Sequence, residues 1–287
     1  MASYHVRSNS LPSRPHPIIP EFEEKLSQAR ASEAASSSSA STSISYKLSG
    51  LQDLHDCVDR LLLLPLNQQA LSQENHKKWV NQIMDSSLRT LDVCNIAKDA
   101  LLQAKESTQA LQSSIRRRRS GKIELSSEVK KFLTSRKVVK KAIQEAIGDL
   151  KGIESGCNFS PLNKDNETVT MLREVQATTL AVFGSLLSFI SGPKSQPKPN
   201  GWSFISKIMR STRIEEESQP NEFARADFAL KLLISQNMKK SDNLNFKDAQ
   251  DQLEELELCI QDLEEGLESL FRRMIRIRVS LLNILNH

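Results

Sequence analysis

Six residues near the amino terminus, Arg7-Ser8-Asn9-Ser10-Leu11-Pro12, carry the most specific chemical pattern in the 287-residue chain. Arg7 lies three residues before Ser10, a spacing that suits a basophilic kinase, and phosphorylation would add about −1.5 to −2 charge there. A reader protein with an arginine cluster clamps such a group through charge-assisted hydrogen bonds. Pro12, two residues beyond the phosphate position, turns the chain out of a reader's groove, and Pro15 and Pro17 keep the segment extended. Arg117 to Ser120 offers a second Arg-x-x-Ser site, without a following proline, and two phosphoserines give a dimeric reader avidity. The plainer alternative is a Ser/Pro-rich tail in which four specified positions coincide by chance.

Two basic segments could hold an anionic partner. The first contains Arg116, Arg117, Arg118, Arg119, Lys130, Lys131, Arg136, Lys137, Lys140 and Lys141; from 116 to 151 there are twelve basic residues against four acidic ones. A helix so charged could track nucleic-acid phosphates. Phe132 is its only aromatic residue, however, and no nucleic-acid-binding motif accompanies it, so this partner is disfavoured. Between Asp251 and Glu268 stand eight acids and no base, which makes an internal match between complementary helices the favoured reading and an anionic membrane surface the alternative. The second segment, Arg272, Arg273, Arg276 and Arg278, surrounds apolar residues. It reads either as arginines snorkelling beside a packed seam or as a membrane-surface or calmodulin-target helix.

Signatures of catalysis are missing from the sequence. The five histidines, His5, His16, His55, His76 and His287, show no HExxH spacing, and no GxGxxG, GxxxxGK[ST] or GxSxG stretch occurs. The expectation is a chain that is no enzyme and needs no cofactor or metal. His55 with Asp56 and Asp59 forms a polar cluster that reads as a solvated helix face. Cys57, Cys94, Cys157 and Cys259 form no CxxC pair, and no apolar signal-peptide core opens the chain. These features fit reduced thiols in a cytoplasmic protein, with nucleus, membrane periphery and plastid as alternative locations. Arg7 and Arg14 without an acid in the first twenty residues are faintly transit-like, but Glu21, Glu23, Glu24 and the prolines oppose that reading.

The elements that must position these groups are helical. Nine glycines, ten prolines and few aromatics among abundant Leu, Lys, Glu, Gln and Ala favour an all-α chain. The net charge of +4 imposes no global field. Residues 32–45 hold eight serines in fourteen positions and read as a flexible linker, after a short helix within 21–32. Helices are then expected from Tyr46 to Leu64, from 74 to 119, from 125 to 154, from 167 to 191, briefly around 202–210, from 221 to 236, and from 246 to the end. In the last, Leu253, Leu256, Ile260, Leu263, Leu267, Leu270, Met274, Ile277, Leu281 and Ile284 alternate spacings of three and four, a continuous heptad seam. Cys94, Ala97, Leu101, Ala104, Thr108, Leu111 and Ile115 repeat that spacing. Packing within one chain is the favoured use of the two seams, and a homodimer through the last helix is the alternative. Residues 175–192 carry no charge and fit a buried central helix better than a membrane span.

The opening "MASYHVRSNSLPSRPHP", the helix "LQDLHDCVDRLLLLP" and the ending "LEELELCIQDLEEGLESLFRRMIRIRVSLLNILNH" are similar to the plant-specific BYPASS-like family, domain of unknown function 241. The resemblance covers essentially the whole chain. It implies an all-helical plant protein with a context in root and shoot development, and it brings no catalytic residues. The resulting expectation is an irregular bundle of long antiparallel helices over 46–287, with a coiled-coil-like last helix, behind a disordered Pro/Ser-rich tail over 1–45. Its expected role is that of an interaction or regulatory protein with protein partners. The Arg7–Pro12 pattern resembles the phosphoserine motif captured by 14-3-3 proteins. The alternative role is a peripheral membrane protein that binds anionic lipid.

Overall fold

Leucine-rich residues spaced by three and four put an apolar stripe on each helix, and the stripes bury one another around a shared core. The structure, a computed structural model, describes residues 16–35, 41–117, 122–156, 167–192, 220–235 and 242–286. Among these are eight helices: α1 Ile18–Ala34, α2 Ser41–Leu62, α3 Pro65–Ser72, α4 Glu74–Arg117, α5 Lys122–Gly156, α6 Glu167–Ser191, α7 Glu222–Ser235 and α8 Asp242–Asn286. The fold is all-α, as the composition predicts, and no described residue lies in a strand. The Arg7–Pro12 motif, Arg118, Arg119, Cys157 and the short helix expected around 202–210 lie outside the described residues.

The longest elements, α4 with 44 residues and α8 with 45, form the frame. The α8 seam is buried from Leu253 to Ile284, with Ile277 half-buried, and the α4 run from Cys94 to Ile115 is buried at every position. The two helices are antiparallel. Lys98 reaches Glu268 at 2.5 Å, Lys105 reaches Glu264 at 2.6 Å, and Gln109 donates to Glu257 at 2.8 Å, so one number rises as the other falls. On its other flank α8 meets α2, and there the numbers rise together: Gln52 donates to the Gly266 carbonyl, Arg273 pairs with Asp56, and Ser280 donates to Asp59. This pair is therefore parallel, as are α1 with α6, where Arg30 faces Glu174 and Ser185 donates to Glu33, and α4 with α6, where Arg173 covers Trp79 and Gln176 donates to Thr90. The seam is thus filled inside one chain.

Helix ends follow from residue chemistry. Pro65 occupies the first turn of α3, where its missing N–H costs nothing. Asn67 and Gln68 donate to the Leu61 and Leu62 carbonyls left open at the end of α2. Gly192 closes α6 with φ 74, a left-handed conformation in which glycine avoids the Cβ penalty. The buried Asn221 serves two helices: its Oδ1 accepts from the Ala224 amide at the start of α7, and its Nδ2 donates to the Phe189 carbonyl of α6.

The expected tail over residues 1–45 needs a correction at its carboxyl end. Ile18, Phe22, Leu26 and Ala29 recur at helical spacing and are buried in the core cluster, and α1 packs on α2 and α6. Arg60–Glu21 at 2.5 Å, Lys25–Asp53 at 3.0 Å and Lys47–Glu33 at 3.1 Å fasten α1 antiparallel to α2. The serine run also ends early, because α2 begins at Ser41 and that hydroxyl donates to Glu222 of α7. The short helix expected within 21–32 is present and longer, and what the polar character of residues 18–34 concealed is that Ile18, Phe22, Leu26 and Ala29 fall on one face and pack into the core.

α6 is long and apolar enough to cross a membrane, yet 61% of its most apolar window is buried in the bundle. It touches α1, α2, α4 and α5, which matches the expectation of a central helix.

Candidate interaction surface

Which charges remain available to a partner depends on which helices are neighbours. Among the described residues, the expected match between the basic α5 and the acidic half of α8 does not form. α4 packs on both helices, and the described acids of α8 find other cations: Glu264 and Glu268 meet α4, while Glu255 meets Arg225 of α7 at 2.9 Å. Lys105 is held above, and Glu268 below, its ordinary pKa by these hydrogen-bonded contacts, foremost Glu264 for the first and Lys98 for the second.

α5 turns its own charges two ways. Arg136, which the sequence groups with the surface cations, is 2% exposed. Its Nε donates to Asp227 of α7 at 3.3 Å, its Nη2 donates to the Ile190 carbonyl at 3.1 Å, and its guanidinium lies 4.7 Å from the Phe223 ring centre. Lys140 reaches the same Asp227 at 2.8 Å. Burial pulls the Arg136 pKa down and the Asp227 charge opposes it, so the guanidinium stays protonated. Lys130, Lys131, Lys137 and Lys141 remain exposed, with Lys131 bonded to Glu128 and Lys141 at 3.8 Å from Glu145. Arg116 and Arg117 are exposed at the end of α4.

The arginines of the last helix are largely engaged within the chain. Arg273 pairs with Asp56 at 2.9 Å, and Arg276 lies 3.5 Å from Asp59. Arg278 donates to the Met84 carbonyl and to Ser87. Arg272 bonds Glu268 one turn back and is otherwise exposed. Asp56 and Asp59 therefore form an ion-paired seam with α8 rather than a freely solvated face.

His55 leaves that cluster and points inward. Thr179 donates to the Val175 carbonyl, so its oxygen accepts from His55 Nε2 at 3.1 Å, and Nδ1 is left as a bare buried acceptor. Burial, with help from Arg273 and against Asp56, lowers its pKa to about 4. The unfolded imidazole takes its proton near 6.5, so stability is full above that value and falls as pH drops from about 6.5 to 4. A difference of that size corresponds to about 3 kcal/mol. Urea unfolding at pH 7 and pH 4.5 should show a loss that His55→Gln does not share. Equal losses in both proteins would place the acid sensitivity elsewhere.

Three cysteines, Cys57, Cys94 and Cys259, are free and buried. Burial raises all three thiols, Cys94 and Cys259 to about 12, which keeps them protonated and poor nucleophiles. A cleft of about 300 Å³ between α1, α4, α5 and α6 is lined by Arg30, Arg173, Glu154 and Glu174, with Arg30 and Glu174 3.5 Å apart. Its two signs of charge largely offset each other.

Large apolar side chains are exposed on several helices, among them Tyr46, Leu66 and Val138, and four lie on the side of α8 opposite its seam. Leu258, Ile275, Val279 and Leu282 are 65%, 40%, 49% and 41% exposed there. This second stripe lies in the same heptads as the inner one, whose stronger and unbroken period masks it in the sequence.

A family model described as Protein BPS1 matches residues 47–284, from α2 to the end of α8. No curated protein and no solved structure matches the chain.

Proposed function

We propose that this chain, which belongs to the BPS1 family, is a non-enzymatic interaction protein whose helical bundle presents side chains to protein partners and whose amino-terminal segment is regulated by phosphorylation. The observation that carries the reading is the set of large apolar side chains left on the outer face of α8 beside a fully packed inner seam. Buried, unactivated thiols and the neutral, buried His55 are consistent with it, since those groups are occupied in packing. A plant setting in root and shoot development rests on the family resemblance alone.

The regulated element is Ser10 within Arg7-Ser8-Asn9-Ser10-Leu11-Pro12, with 14-3-3 proteins as the reader that its chemistry suits. A peptide spanning residues 3–17 is expected to bind such a reader at least about tenfold more tightly when Ser10 is phosphorylated. The full chain should lose this binding on Ser10→Ala. Equal affinity of the two peptides removes the phosphate switch and leaves the bundle's role standing.

A second reading, peripheral binding to anionic lipid, is favoured by the exposed Lys130, Lys137 and Lys141 on α5, with Val138 54% exposed among them. Sedimentation with vesicles containing or lacking anionic lipid separates the two readings. Binding that requires the anionic lipid supports the second one.

A further inference from the structure

We propose that the outward face of α8 is self-complementary and docks antiparallel on the same face of a second copy of this chain. The inference rests on the reading of this face as a protein-binding surface and names its partner; it is independent of the phosphate chemistry. A chain that stays monomeric leaves the face open to other proteins. With the seam turned inward, the strip opposite to it recurs every seven residues as Leu258, Glu265, Arg272 and Val279, all exposed. Residues seven apart lie two turns on with a drift of about 20°, so the strip winds about 60° around the helix from Leu258 to Val279, as a supercoiled contact follows. From either end, the strip runs apolar, charged, charged, apolar, and the sign of the charge inverts about its midpoint.

A two-fold axis between residues 268 and 269 would set Leu258 of each copy against Val279 of the other, and Glu265 of each against Arg272 of the other. Each contact then occurs twice, which is the signature of an isologous interface. The polarity of the whole helix points the same way. Among the exposed charges, Asp251, Glu254, Glu255, Asp262 and Glu265 precede the midpoint and Arg272 and Arg276 follow it, whereas Arg273 and Arg278 are engaged within the chain, so antiparallel copies lay acidic positions on basic ones. Parallel copies would lay like charge on like. From Leu258 to Val279 the strip covers about 32 Å of helix. Ile275 and Leu282 extend its apolar area on one flank, whereas Asp262 and Glu265 make the same face a poor match for an anionic bilayer. Arg272 has its only described bond to Glu268 within its own helix and is 73% exposed, so its guanidinium can reach a second carboxylate.

The test is sedimentation of the full chain over a range of concentration and salt. A dimer is expected, weaker at high salt because exposed charges are screened. Glu265→Arg or Arg272→Glu alone places like charges in both symmetric contacts and should raise the dissociation constant at least about tenfold. Combining the two substitutions restores opposite charges and should return the constant to within about threefold of the original. Both positions are exposed, so thermal transitions should stay put; if a reversal lowers one, the milder Arg272→Gln and Glu265→Gln carry the same comparison. A chain monomeric at about 100 μM, a dimer indifferent to either single reversal, or a double variant that fails to reassociate would each overturn the proposal.

Discussion

Leu263→Asp is expected to abolish the cooperative thermal transition of the bundle. Leu263 sits in the middle of the α8 seam with no exposed surface, flanked along it by Ile260 and Leu267, which are equally buried. An ionised carboxylate there has no described cation on its own face, since Lys98 and Lys105 are committed to Glu268 and Glu264 at the rim of the contact. Burying it, or protonating it to make burial tolerable, costs several kcal/mol against a total stability of roughly 5–15 kcal/mol. The neighbouring exposed Asp262→Ala should change stability by no more than about 0.5 kcal/mol. Circular dichroism melts of the three proteins decide the matter, and an unchanged transition in Leu263→Asp would place the seam outside the core.

The second large effect is expected at Asp227, which balances Arg136 and Lys140 where α5, α6 and α7 meet. Asp227→Ala leaves the Arg136 guanidinium buried with only the Ile190 carbonyl and the Phe223 ring as compensation. Removing one partner of a buried pair costs about 3–5 kcal/mol, because a charge stays desolvated without its counterion. Replacing both members by apolar residues removes that penalty. The double variant Arg136→Met, Asp227→Leu should therefore be more stable than Asp227→Ala alone in urea unfolding. A double variant as unstable as the single one would show that the site matters through shape rather than charge.

These two sites differ in how visible they are in the sequence. Leu263 is one term of a 3,4 repeat, and a repeat is a property of one helix that can be read along the chain. Arg136 stands in a run of cations, yet it also fills one term of the 3,4 repeat Val129, Phe132, Arg136, Val139, Ile143, Ala146 and Leu150, which the exposed Lys137 does not, so its burial is legible along the chain while its partner is not. Its burial arises because its face of α5 meets α7 and the end of α6. His55 shows the same division: the repeat Leu48, Leu51, His55, Val58 and Leu62 puts it on the buried face of α2, while its hydrogen bond to Thr179, over a hundred residues away, is set by the packing of α6.

The sequence by itself determined that this protein is a set of long helices, where α6 ends, that α4 and α8 carry matching seams, and that the central helix is buried. Each of these follows from propensity, capping chemistry or period, all of which act within a few turns. It also held a short helix within 21–32, but not that the sparse apolar stripe of α1 packs into the core. Only the tertiary structure decided which helix lies beside which. Complementary charge blocks on α5 and α8 fit a direct pairing, but an exposed ion pair contributes only about 0–1 kcal/mol. Burying the apolar faces of α4 contributes far more, at about 25 cal/mol for each Å² removed from water. α4 therefore takes the place between them, and the charges settle with whatever neighbours that packing leaves.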